Sequence, residues 1–167
     1  LKFTLKTIPL PKLFSAYKHS GSLYFKYARF ILRKWIVDPP VIFHYQANEN
    51  SAIVYRNKAY IDYKTNANKL FIQIDEVVFW VKLSDVLWIG DISDYAKVSR
   101  STLQQLKQLA FKLGYNTIVM NLNESISLPF VFDEFKMYNK DAACYKILQP
   151  IEGFERMIWT GADFDTW

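Results

Sequence analysis

Lys97, Ser99, Arg100, Ser101 and Thr102 place two cations and three hydroxyls within six positions, at the head of a predicted helix. The first N–H groups of a helix lack intrahelical partners, and its positive dipole end favours anions. A phosphate group is what such a cluster would hold. The plain alternative is that Ser99 or Ser101 serves only as the N-cap. Asp91 and Asp94 lie just upstream. Either is placed to act as a general base toward an amine, and either is equally explained as a carboxylate drawn to the helix start.

Other chemistry finds little footing. His19 and His44 are far apart and lack a Cys or His at ligand spacing, so no metal is expected, and His44 reads as a structural strand residue. Asp163 and Asp165 share a face if extended, but two acids without further oxygen ligands read as a solvated tail. No Gly-x-Ser-x-Gly run occurs, and Cys144 has no histidine near it in sequence. As the single cysteine it cannot form an intramolecular disulfide, which points to a reducing, cytoplasmic setting. Within the apolar run 142–148 it reads as a small buried hydrophobe.

Composition bounds the rest. The 167 residues suffice for one domain with a sizeable core. A hydrophobic share of 51% with 22% charged residues is that of a folded chain. The aromatic share of 17% suggests a grooved or partner-facing surface beside the core. With five glycines in all and none from 91 to 113, a glycine loop cradling phosphate is hard to build. The net charge of +5 and a pI near 9.2 favour anionic partners only in general. No apolar run of about 18 residues is present, so no transmembrane segment is indicated, and no signal peptide is visible. The chain begins at Leu1, not Met, which leaves room for an upstream domain or for a role as one piece of a longer chain.

Positioning falls to a recognisable series of elements. Residues 1–14, with Pro9 and Pro11, predict an extended entry arm. Ser20 and Ser22 precede a helix over 23–37 that Asp38-Pro39-Pro40 ends. Lys26, Arg29 and Arg33, with Lys34, make a basic stripe on it. A solvated face is the expected role. An anionic membrane or nucleic acid is the alternative, and nucleic acid is not the expected partner. Strands are predicted at 41–45, 52–56, 59–63, 70–74, 77–81 and 86–92, with tight turns at Asn57-Lys58 and Asp75-Glu76. The long helix follows over 99–113, stopped by Gly114. A strand at 117–122 comes next, apolar enough to be covered on both faces. A short helix ending near Phe135 and strands near 142–148 and 155–160 close the chain. The predicted class is α/β in the α+β sense: a mixed, mainly antiparallel sheet flanked by helices, in one domain over 1–167. Its core should hold Val78, Trp80, Ile89, Leu103, Leu106, Ala110, Leu113, Ile118 and Met120.

This order over residues 22–160 resembles the GNAT superfamily of acyl-CoA-dependent N-acyltransferases: opening helix, antiparallel meander, long helix, parallel strand, helix, closing strands. Leu113-Gly-Tyr-Asn-Thr-Ile118 looks like the family's join between long helix and parallel strand. Asn123 and Phe135 fall where the family has Asn and Phe, while Ile126 is larger than usual, Phe130 stands for a tyrosine and Glu134 for a glycine. The family's glycine loop is replaced by Asp94-Tyr-Ala-Lys-Val-Ser-Arg-Ser-Thr102. The resemblance implies a GNAT-like fold, acyl-CoA (acetyl-CoA) as cofactor, and acyl transfer to a small-molecule or peptide amine. It implies cofactor contacts at Lys97, Ser99, Arg100, Ser101, Thr102 and Asn123. In this family the matching tyrosine commonly protonates the leaving thiolate, and Phe130 has no proton to give. Tyr95 or Tyr138 is a substitute by residue type alone. The alternative is a non-catalytic binding or assembly module with the same fold, one domain of a tandem protein or a homo-oligomer.

Overall fold

The computed structural model describes residues 2–6, 22–40, 43–44, 52–53, 56–65, 68–121, 129, 132, 136–138, 157–158 and 160. The elements, in order, are β1 (Lys2–Lys6), α1 (Ser22–Leu32), β2 (Ala52–Ile53), α2 (Lys58–Lys64), β3 (Lys69–Ile74), β4 (Val77–Leu83) and β5 (Leu87–Ile92). A 3-10 turn, Tyr95–Lys97, then leads to α3 (Arg100–Lys112), β6 (Thr117–Asn121), β7 (Lys136–Tyr138) and β8 (Met157–Ile158). Six strands form one sheet in the order β3-β4-β5-β6-β1-β7. Only β5 and β6 run parallel in it; the other neighbours are antiparallel. The mixed α+β class is therefore the observed one.

The β3–β4 hairpin turns at Asp75 and Glu76 as the sequence indicates, with Asp75 at φ 54°, a left-handed value that a short Asx side chain tolerates. The parallel join is also as predicted: α3 starts at its Ser99 cap, Gly114 takes φ 81°, and β6 pairs with β5. The entry arm is extended over β1, but it lies inside the sheet between β6 and β7.

Two predicted elements are corrected. The hairpin over 52–56 and 59–63 does not form; Asn57 caps a helix, its side chain accepting from the Tyr60 N–H at 2.8 Å. Asx side chains serve turns and N-caps alike, and the buried Ile61 docks this helix on the sheet. Ala52–Ile53 pair instead with β8, in parallel. The first helix ends at Leu32 rather than residue 37. Its would-be last turn peels away because the β3 edge offers backbone partners: the Val37 N–H donates to the Phe71 carbonyl and the Gln73 N–H to the Trp35 carbonyl. The short helix near 135 is described only at Phe132, and the strand at 142–148 lies outside the described residues.

The sheet is covered on both faces. Leu70, Ile72, Phe79, Val81, Ile89, Ile118 and Met120 meet Tyr24, Ala28 and Leu32 of α1 and Leu103, Leu106 and Ala110 of α3. On the other face Phe71 stacks on its cross-strand partner Trp80, ring centroids 4.9 Å apart, beside Phe43 and Ile61. Of the predicted core residues only Val78 is half-buried; the others are buried, Trp80 on the face away from α3.

One irregularity sets the site. Trp80 pairs with Asp91, but Val81 pairs with Ile89, so Gly90 is the extra residue of a β-bulge. Strict alternation would put Asp91 on the Ile89 side. The bulge turns Asp91 to the Trp80 face and gives Ile92 to the main core.

Candidate functional site

The described β5–β6 pairing ends beside this bulge. Among the described residues the last β5–β6 pair is Ile89 with Met120; β5 runs on to Ile92, and residues 122–128 lie outside the described residues. In open sheets a gap beyond the carboxyl ends of parallel strands is the usual place for a ligand. Asn121 stands at this point on β6, and its side-chain Oδ1 is buried without a hydrogen-bond partner. Asn123, Ile126, Phe130, Glu134 and Phe135 lie outside the described residues, as do the side chain of Tyr138 and the whole of His19, Cys144, Asp163 and Asp165.

The head of α3 faces the same end of the sheet. Asp94 caps the 3-10 turn, accepting from the Ala96 N–H at 3.0 Å. Ser99 is the N-cap of α3, accepting from the Thr102 N–H at 3.0 Å, and the Ser99 N–H reaches back to Thr102 Oγ1 at 3.5 Å. These are the reciprocal bonds of a capping box. The buried Thr102 gives its hydroxyl proton to Asp75 Oδ2 at 2.8 Å. A hydroxyl carries one proton, so Ser99 must be the donor in the 2.9 Å contact between the two hydroxyls. Gln105 donates to Asp75 Oδ1 at 2.9 Å. The Gln105 and Thr102 bonds hold the Asp75 carboxyl below its ordinary range.

The sequence cluster is thus divided. Ser99 and Thr102 act as the cap, and Asp75 from the β3–β4 turn lies against the first turn of α3. Lys97 points to Glu76 at 3.6 Å, both exposed. Arg100 and Ser101 are exposed. No sequence signal announced Asp75 here: a turn acid sits 27 residues before the threonine it meets, and only the fold joins them.

Asp91 has a different surrounding from that of a free base. It is fully buried and ion-paired to Arg56, whose side chain is 4% exposed. Its Oδ1 accepts from the Tyr95 hydroxyl at 2.9 Å and from the Ile92 N–H at 2.7 Å. Arg56 also donates to Thr160 Oγ1 at 3.1 Å and lies over the Phe43 ring, 5.1 Å from its centroid. Each carboxylate oxygen therefore has a partner, and the Tyr95 proton is engaged inside the network. Arg56 and Thr160 escaped the sequence reading, because a buried pair across 35 residues leaves no periodic mark. On this second face a hollow of about 560 Å³ runs from the Pro39-Pro40 segment to Ile61 and the head of α2. Lys58 and Asp62 on its wall pair with each other at 2.6 Å.

Among the described residues, no three of His, Cys, Asp and Glu come together to hold a metal ion, and no helix is long and apolar enough to cross a membrane. The His44 N–H donates to the Ser93 carbonyl at 2.7 Å, and its side chain is exposed. Compared with known proteins, the chain matches no family profile, no curated protein and no solved structure.

Proposed function

We propose that the chain is a GNAT-like protein that takes an acyl-CoA at the carboxyl ends of β5 and β6, as an N-acyltransferase toward an amine or as a descendant of one. The observation that carries this reading is the β5–α3–β6 unit: two parallel strands joined through a capped helix, with a bulge at Gly90 near the carboxyl end of β5. The thioester arm would lie past the carboxyl ends of these strands, and its diphosphate would reach the exposed Arg100 and Ser101 at the start of α3, with Lys97 adding charge. Asn123 would lie along the same path on the resemblance alone. Titration calorimetry with acetyl-CoA and with CoA is the test. Binding in the micromolar to millimolar range is expected; no heat and no thermal shift at millimolar cofactor removes the reading.

A second reading has its own observation. Asp75 brings a carboxylate to the helix start where a diphosphate would sit, and Phe130 offers no acid for a thiolate. A non-catalytic binding or assembly module with the same fold accounts for both. Cofactor binding without transfer to any amine in a broad panel, or no cofactor binding at all, favours this second reading.

A further inference from the structure

The two helices that cover the main face of the sheet carry cations and no acids. Residues 22–34 hold Lys26, Arg29, Arg33 and Lys34, and residues 100–112 hold Arg100, Lys107 and Lys112, with no Asp or Glu in either stretch. The rest of the chain has 14 Lys and Arg against 16 Asp and Glu, so the positive excess of the chain lies in these two stretches. All seven cations except the half-buried Lys107 are exposed.

The same face shows apolar side chains to water. Leu23 is 60% exposed, Phe30 61% and Phe111 40%. At about 100° per residue Leu23 and Phe30 lie in line on α1, roughly 10 Å apart along its axis. Arg29 and Lys26 follow on one flank of that ridge and Arg33 and Lys34 lie in the turn just past the end of α1, while Tyr24, Ala28 and Leu32 point to the core. The Tyr24 hydroxyl donates to the Leu113 carbonyl at 3.0 Å and the Tyr27 hydroxyl to the Lys112 carbonyl at 3.1 Å. These bonds set α1 against the end of α3, the helix turn that carries the exposed Phe111 and Lys112.

We propose that this face docks on an anionic lipid bilayer, with α1 lying in the plane of the headgroups. Leu23 and Phe30 would enter the boundary between headgroups and acyl chains, and the flanking lysines and arginines would meet lipid phosphates. The inference is independent of the acyl-CoA reading. Nucleic acid shares the charge but not the ridge. Base stacking needs an open aromatic face, and Arg33 already lies over the Phe30 ring, 4.6 Å from its centroid. Leu23 offers a base nothing.

The test is sedimentation of the full chain with vesicles of phosphatidylcholine alone or mixed with phosphatidylglycerol, at about 0.15 M salt. Binding to the anionic vesicles only is expected. Lys26→Gln with Arg33→Gln should weaken it roughly 25-fold, about fivefold for each cation near the surface. Leu23→Ser with Phe30→Ser should weaken it by on the order of tenfold or more, since both lose burial in lipid. Lys58→Gln with Tyr63→Ser changes an equally exposed pair on α2 and should leave binding unchanged. Far-ultraviolet circular dichroism checks that each variant is folded. Equal binding to neutral vesicles, no binding, or binding that ignores the α1 changes overturns the proposal. Tight binding of a DNA or RNA oligonucleotide that depends on Lys26 and Arg33, without vesicle binding, overturns it in favour of nucleic acid.

Discussion

Arg56 and Asp91 are two charges removed from water, and the residues around them engage both carboxylate oxygens and both terminal guanidinium nitrogens. Such a pair adds little net stability over apolar substitutes, but removing one member leaves the other uncompensated. Arg56→Met should therefore cost about 3–5 kcal/mol in urea unfolding, and Arg56→Met combined with Asp91→Leu should recover much of it. A single variant as stable as the parent would show that the pair is not formed. Asp75 is the opposite case, an exposed carboxylate whose low pKa comes from Gln105 and then Thr102. Its folded pKa is depressed, so its contribution is present above the ordinary carboxylate range near pH 4 and is lost as pH falls through the folded value. Asp75→Asn keeps the side chain's shape and tolerance of positive φ. It should lower stability at neutral pH and flatten the parent's loss of stability below about pH 4. The same variant bears on function. Removing a negative charge from the head of α3 should tighten CoA binding if the diphosphate sits there. Arg100→Ala should weaken it by roughly 1–3 kcal/mol, the scale of a charge-assisted hydrogen bond. Calorimetry in which neither change moves the affinity would place any CoA elsewhere.

At the scale of elements, legibility followed the reach of the forces. α3 was readable at both ends because its signals are local. Ser99 and Thr102 close the capping box, and Gly114 and Tyr115 close the other end: the Tyr115 N–H donates to the Ala110 carbonyl at 2.8 Å and the Gly114 N–H to the Phe111 carbonyl at 2.9 Å. This is the Schellman pair of bonds, and it requires the left-handed φ of 81° at Gly114. Gly114→Ala should cost about 1 kcal/mol or more in thermal unfolding. An unchanged midpoint would mean that the helix ends otherwise. The β3–β4 hairpin and the parallel β6 were readable for the same reason: turn residues and apolar runs are short-range marks. Three features were not. Asn57 fits a turn and an N-cap equally, so the choice for 58–64 fell to the burial of Ile61 against Phe71 and Trp80. Residues 33–37 keep a helical pattern yet bond to the β3 edge. The Gly90 bulge moves Asp91 to the opposite face, and with it the Arg56 network, although one glycine in a strand does not say which way its neighbours turn. At the site, the sequence reached the cap and the exposed cations but not Asp75, Arg56 or Thr160, whose roles depend on contacts between distant segments.

For the whole molecule, the two buried tyrosines at the junction of α1 and α3 connect packing to pH. Tyr24 and Tyr115 meet edge to face with centroids 6.2 Å apart. Burial is the main cause that pushes both phenols well above their ordinary range. A raised folded pKa means that the native state keeps protons the unfolded chain releases once pH passes about 10. Their contribution is complete below that value and is lost as pH rises toward the folded values. Lys82 works the other way: burial lowers its pKa, so the unfolded chain binds more protons there and stability gains with pH. Comparing the parent with a Tyr24→Phe, Tyr115→Phe variant cancels the lysine. Above about pH 10.5 the parent should lose stability faster than the variant, by a slope approaching 2.7 kcal/mol per pH unit for two protons. At neutral pH the variant should be weaker by about 1 kcal/mol, because the bond from Tyr24 to the Leu113 carbonyl is gone. Urea titrations from pH 8 upward read both numbers. Parallel pH profiles for parent and variant would mean that the two phenols are open to water, and that α1 does not seal the end of α3. The basic ridge of α1 would then lack the rigid footing that its docking on a bilayer requires.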